Sequence, residues 1–175
     1  MPNLPQFVIA FFGILKTGAT VVPISPLYGE SDLEKCIIDS GIKAIVALDI
    51  VYTNLGKVLP KTPNLKHVIV TSIGDILPPI LRFIAKLLKK LPPSSEIPNG
   101  IKFYELIKNH EPLAKSVEVD PEEDIAVIGY TGGTTGTPKG AMLTHKNLVS
   151  NLLMAREWAI VVHPAGVKKK FVGAV

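Results

Sequence analysis

Hydrophobic positions along the chain fall into short blocks with two different spacings. Residues 4–16 are apolar at nearly every position and end at Gly18, which predicts an apolar helix. Residues 20–24 read as a buried strand stopped by Pro26. In residues 30–40, Leu33, Ile37 and Ile38 share one side of a helix and Gly41 follows its end. Residues 44–48 and 67–71 are short apolar runs that predict strands, with a short helix over 53–59 between them. Residues 125–130 predict another strand, 146–159 a helix, and 171–175 the opening of one more strand. Strands alternating with helices in this way predict an α/β fold, a layered, parallel-rich sheet with helices on both faces.

Two segments interrupt that rhythm. Residues 76–98 are bounded by prolines and basic. Ile80, Ile84, Leu87, Leu88 and Leu91 share one helical face, Arg82, Lys86 and Lys89 lie on the other, and no acid falls between Ile76 and Leu91. Such a basic amphipathic helix either makes peripheral contact with an anionic membrane surface or packs its apolar face on the domain. Residues 111–124 are acidic. Asp120, Glu122, Glu123 and Asp124 read as a solvated connection rather than a metal site.

Composition narrows the classes. The chain has 175 residues, 47% hydrophobic and 19% charged, which excludes a disordered chain and allows one domain with a core. The longest apolar run, residues 7–15, is too short to span a membrane, and no basic residue precedes it as one would in a secretory leader. Cys36 is the single cysteine, so no internal disulfide or cysteine zinc cluster is expected. Packing inside its helix is its expected role, and a reducing, cytoplasmic setting fits. His67, His110 and His163 lack metal-ligand spacing. The net charge of +4 comes from 17 lysines, two arginines and 15 acids. Two arginines are few for reading base edges, so no nucleic-acid partner is expected. A mildly basic balance suits an anionic small molecule or membrane surface instead.

The strongest chemical signal is Tyr130-Thr131-Gly132-Gly133-Thr134-Thr135-Gly136-Thr137-Pro138-Lys139-Gly140. The glycines open backbone angles closed to other residues, so successive N–H groups can converge on one anion. Threonine hydroxyls add donors without bulk, and Lys139 adds a compact positive charge. A loop of this kind between a strand and a helix suits a polyphosphate. It is not the Walker loop, because Lys139 stands between Pro138 and Gly140, and its glycine spacing does not fit the dinucleotide pattern.

This stretch resembles the signature loop of the adenylate-forming (AMP-binding) enzymes, which include acyl-CoA synthetases, luciferases and nonribosomal adenylation domains. The continuation Ala141-Met142-Leu143-Thr144-His145-Lys146-Asn147-Leu148 is similar to the family's. So are Leu15-Lys16-Thr17-Gly18-Ala19 and Val22-Pro23-Ile24-Ser25-Pro26 near the start. The proline-flanked basic insertion before the loop looks most like that of long-chain fatty acid–CoA ligases. The resemblance implies a two-step reaction with ATP, Mg2+ and coenzyme A. A fatty acid carboxylate attacks the α-phosphate to give acyl-AMP and pyrophosphate, and coenzyme A then displaces AMP as a thioester. It implies that Gly132, Gly133, Thr134, Thr135 and Gly136 wrap the β- and γ-phosphates. Lys139 would neutralise the leaving group, and Thr131 would approach the magnesium.

The chain departs from the family pattern in extent. Residues 1–175 correspond to part of the large N-terminal AMP-binding domain. The segments that hold adenine, ribose and the acyl group, and the small mobile C-terminal domain with its lysine, are absent from it. The expectation is therefore a fragment of a ligase, inactive alone; the contrasting readings are a noncatalytic or membrane-docking module, or a split-enzyme subunit that requires a complementing chain, with a homo-oligomer as a further candidate partner. Pro60-Lys61-Thr62-Pro63-Asn64-Leu65-Lys66 mimics the family's catalytic lysine motif, but Leu65 replaces its glycine and the stretch lies upstream of the loop. A structural loop is the expected reading there. Thr144 is expected to cap the helix that begins beside His145, whose contact with substrate is the lesser reading.

Overall fold

The computed structural model describes residues 1–88, 97, 99–131 and 138–162. Six helices and five strands occur among them: α1 (Pro5–Lys16), α2 (Glu30–Ser40), β1 (Ala44–Leu48), α3 (Tyr52–Val58), β2 (His67–Thr71), α4 (Pro79–Leu87), β3 (Ile101–Lys102), α5 (Phe103–Lys108), β4 (Ile125–Thr131), β5 (Lys139–Thr144) and α6 (His145–Val162). The expected α/β class holds. β1, β2 and β3 form a parallel sheet in that order, and β4 and β5 form an antiparallel pair.

The sheet is built on β1. Ile45 and Ala47 point to the side on which α2 and α3 pack, joining Leu33, Ile37, Leu55, Val58 and Leu65 in one core. Burying a side chain such as Ile37 stabilises the fold by about 1.5–3 kcal/mol. α2 ends as its sequence requires: Gly41 adopts φ 63°, and its N–H bonds the Ile37 carbonyl at 3.1 Å. Ile38 does not join the core and is exposed, because the buried stripe runs through Leu33, Cys36 and Ile37 and Ile38 lies one step around the helix. α1 reaches the opposite side of the sheet. The Nε2 of buried Gln6 donates to Thr71 Oγ1 at 3.4 Å, and Thr71 is the register partner of Leu48.

A second core holds β4. Val21, Ala126 and Val127 are buried against Phe11, Ile14 and Leu15 of α1, and against Leu143 and Leu148. An apolar cleft of about 710 Å³ lies between α1, the segment from Ala19 to Tyr28, and β1.

Three expectations change. Residues 20–24 do not form a strand; only Val21 bridges β4, in parallel, opposite Val127. Its N–H donates to the Ala126 carbonyl and its carbonyl accepts from Ile128 N–H, each at 2.9 Å. The next ladder bond in this direction would need an N–H at Pro23, which has none. Secondly, β5 stands between the loop and α6, where a helix was expected to follow directly. Thirdly, β3 and α5 form where the sequence has no clear periodicity. The strand expected over 171–175 and the lysine run at 168–170 lie outside the described residues. The acidic segment is a turn: Asp120 Oδ1 accepts from the N–H groups of Glu122 and Glu123, and Asp124 Oδ2 accepts from Asp120 N–H. No metal-binding group of acids, histidines or cysteines occurs among the described residues.

Candidate phosphate-binding site

β4 carries the site because its inner half is fixed in the second core and its outer half runs out to solvent. Ala126 and Val127 are buried, Ile128 to Tyr130 half-buried and Thr131 exposed. β5 returns beside it, pairing Tyr130 with Gly140 and Thr131 with Lys139. Residues 132–137 connect the two strands. The candidate residues Gly132, Gly133, Thr134, Thr135 and Gly136 lie in that connection, outside the described residues.

Of the candidate residues, Thr131 and Lys139 are described, and the register brings them together. Directly opposed residues of an antiparallel pair present their side chains on the same face. The Thr131 hydroxyl and the Lys139 ammonium therefore share one face at the root of the loop. Thr131 Oγ1 donates to the Lys139 carbonyl at 3.4 Å. Lys139 makes no ion pair among the described residues, so its charge is available at an exposed position.

The other face of the hairpin is anchored. Tyr130 donates its hydroxyl to Asp39 Oδ2 of α2 at 2.5 Å, a contact 91 residues apart in sequence. Gly140 makes this face fit. A Cβ there would meet Ile128 Cγ2 at 2.8 Å and the Tyr130 ring at 3.3 Å. The glycine after the lysine thus leaves room for the tyrosine opposite. Neither Asp39 nor the spatial reason for Gly140 was evident from spacing.

The helix N-terminus does not contribute to the site as a strand–loop–helix arrangement would. β5 separates Lys139 from α6 by six residues, roughly 20 Å of extended chain. Thr144 instead caps α6 in its own right. Its Oγ1 accepts from Asn147 N–H at 3.3 Å, and Asn147 Oδ1 accepts from Thr144 N–H at 3.0 Å. The lysine-motif mimic is structural too: Lys61 pairs with Glu34 at 3.0 Å, and buried Thr62 bonds back to the Val58 carbonyl at 3.2 Å.

A family model described as AMP-binding enzyme matches residues 1–172. The chain belongs to the AMP-binding enzyme family. It is 43% identical over 164 residues to a long-chain-fatty-acid–CoA ligase of Haemophilus influenzae, covering 89% of this chain and 28% of that protein. The corresponding ligase of Salmonella typhimurium is 40% identical over 172 residues, covering 94% and 30%. Among solved structures, the long-chain-fatty-acid-CoA ligase FadD1 of Archaeoglobus fulgidus superposes with a TM-score of 0.68 at 34% identity, covering 92% of this chain and 26% of that one. An anthranilate CoA ligase in complex with anthranoyl-AMP shares the fold, with a TM-score of 0.69 at 22% identity over 89% of this chain and 25% of that one. The chain thus spans about a third or less of the length of these relatives.

Burial, together with the adjacent Asp39 carboxylate that holds the proton and repels the phenolate, pushes Tyr130 up to about 12 from the usual 10. The folded state therefore keeps this proton more tightly than the unfolded chain. The stability it contributes is complete below pH 10 and is lost as pH rises through 12. Ultraviolet titration of the folded protein is expected to show a tyrosine ionising near pH 12 that Tyr130→Phe removes. Ionisation of every tyrosine near pH 10 would contradict the anchored geometry.

Proposed function

We propose that this chain supplies the phosphate-binding part of an ATP-dependent acid–thiol ligase acting on a long-chain fatty acid. The observation that carries the reading is the register of β4 and β5, which puts a hydroxyl and an ammonium on one face at the root of a loop rich in glycine and threonine. The similarity to long-chain-fatty-acid–CoA ligases supports the choice of acid.

In this reading a carboxylate oxygen of the fatty acid bonds to the α-phosphorus of ATP. The bond from that phosphorus to the bridging oxygen breaks, and its electron pair leaves with pyrophosphate. Coenzyme A sulfur then attacks the acyl carbonyl carbon, and AMP departs. The chain's own contribution is to the first step. The loop donates N–H and hydroxyl groups to the β- and γ-phosphates, and Lys139 offsets the charge that grows on the leaving group. Thr131 offers one neutral oxygen. That fits a magnesium ion carried in on the phosphates, which ordinarily keeps only one or two protein ligands. When bound, the ion would supply further charge neutralisation.

Lys139→Ala is expected to lower acid-dependent exchange of pyrophosphate into ATP by about 10²–10³. An unchanged exchange rate would remove Lys139 from the site.

A second reading concerns α4, and we propose that it rests on an anionic membrane surface. Ile80, Phe83, Ile84 and Leu87 follow one another at helical spacing and are all exposed, Ile80 to 75% and Leu87 to 73%. Arg82 is held at the helix start by Asp75 at 2.8 Å, and Lys86, Lys89 and Lys90 follow in sequence without an acid between them. No helix among the described residues is long and apolar enough to cross a membrane. Exposed apolar residues with neighbouring lysines support lying on the surface instead. Co-sedimentation with vesicles containing anionic lipid is expected. Reversing the charges at Lys86 and Lys89 should weaken it about tenfold or more. Equal sedimentation with neutral vesicles, or none with either, would contradict this reading.

A further inference from the structure

We infer that Asp39 of α2 is a positioning residue for the phosphate loop, acting through its hydrogen bond with Tyr130; this rests on the phosphate reading above. Three observations converge on it. The first is the contact itself. Tyr130 Oη donates to Asp39 Oδ2 at 2.5 Å, within the short range of bonds to an ionised acceptor. Tyr130 is the residue immediately before Thr131, and its register partner Gly140 is the residue immediately after Lys139. A single bond therefore fixes both strands at the point where the loop leaves and returns.

The second is electrostatic. Asp39 occupies the last turn of α2, where the helix carbonyls already present partial negative charge, and no basic residue stands in that turn. An acid there costs the helix stability. A partner outside the helix accounts for its presence, and Tyr130 is that partner.

The third is packing. α2 is among the best-fixed elements of the fold, with Cys36 and Ile37 almost fully buried. Between its outer face and the hairpin root lies a small cleft of about 280 Å³, lined by Lys35, Cys36, Ile38, Asp39, Tyr130 and Pro138. The hairpin thus meets α2 across incompletely filled space, and the hydrogen bond spans it. Pro138 brings the loop's own end to the same cleft. Holding Tyr130 turned toward α2 keeps Thr131 and Lys139 turned the opposite way, because neighbouring side chains alternate along a strand. The proposed role is to hold the two ligand-facing side chains at a fixed orientation before phosphate arrives.

The test compares the parent protein with Asp39→Ala, Asp39→Asn, Tyr130→Phe and the double variant Asp39→Ala/Tyr130→Phe. Binding of inorganic pyrophosphate with magnesium is measured by calorimetry, and thermal stability in parallel. Asp39→Ala and Tyr130→Phe are each expected to weaken binding about three- to tenfold, and the double variant no more than either alone. Asp39→Asn keeps an accepting oxygen and is expected to stay within about twofold of the parent. A purely structural role would move the melting temperature. Here Asp39→Ala also removes a misplaced charge and adds the best helix former, which offsets the stability lost with the hydrogen bond, so affinity falls while the melting temperature changes little. Affinities within twofold of the parent for both Asp39→Ala and Tyr130→Phe would overturn the inference while leaving the phosphate site standing. Full additivity in the double variant would overturn it as well. No binding by the parent would overturn the phosphate reading, and this inference with it.

Discussion

Two backbone hydrogen bonds tie the beginning of the chain to the site. Val21 gives its N–H to Ala126 and receives that of Ile128, both at 2.9 Å. Around this bridge, α1 closes on β4 through Phe11, Ile14 and Leu15, while Leu143 and Leu148 pack on it from later in the chain. Without it, β4 and β5 would be an isolated hairpin, which is marginally stable in water at best. The inner end of β4 is thereby held in the core, while its outer end at Thr131 is exposed.

The hairpin separates structure from chemistry by the simplest property of a strand. Alternate side chains face opposite ways, so Tyr130 attaches to α2 while Thr131 faces the other way, beside Lys139. Gly140 is the complement of that choice, since any side chain there would strike Ile128. The composition of the signature then has a division of labour. Its tyrosine and last glycine build the support, while its lysine and first threonine share the opposite face.

Legibility in the sequence followed the strength of local pattern. α2, β1 and β2 match their expected bounds because each is a uniform run closed by a clear signal, such as Gly41. β5 was not legible: Lys139-Gly140-Ala141-Met142 has neither alternation nor β-branched residues, and pairing with β4 makes it a strand. β3 is two residues long, too short for any period. The strand expected over 20–24 was lost to Pro23, whose missing N–H matters only once the partner strand is known. Thr131 and Lys139 stood out in the sequence through motif and chemistry, and the strand register puts them opposite each other. Asp39 did not stand out, because it reads as one more polar position on a helix and its role depends on a residue 91 positions away.

The central claim is that the face shared by Thr131 and Lys139 receives the phosphates of ATP. A crystal structure of the protein with ATP and magnesium tests it most directly. The account predicts β- or γ-phosphate oxygens within hydrogen-bonding distance of Lys139 Nζ, on the face of the hairpin opposite Tyr130. Phosphates bound elsewhere, or on the Tyr130 face with Lys139 turned to solvent, would contradict it.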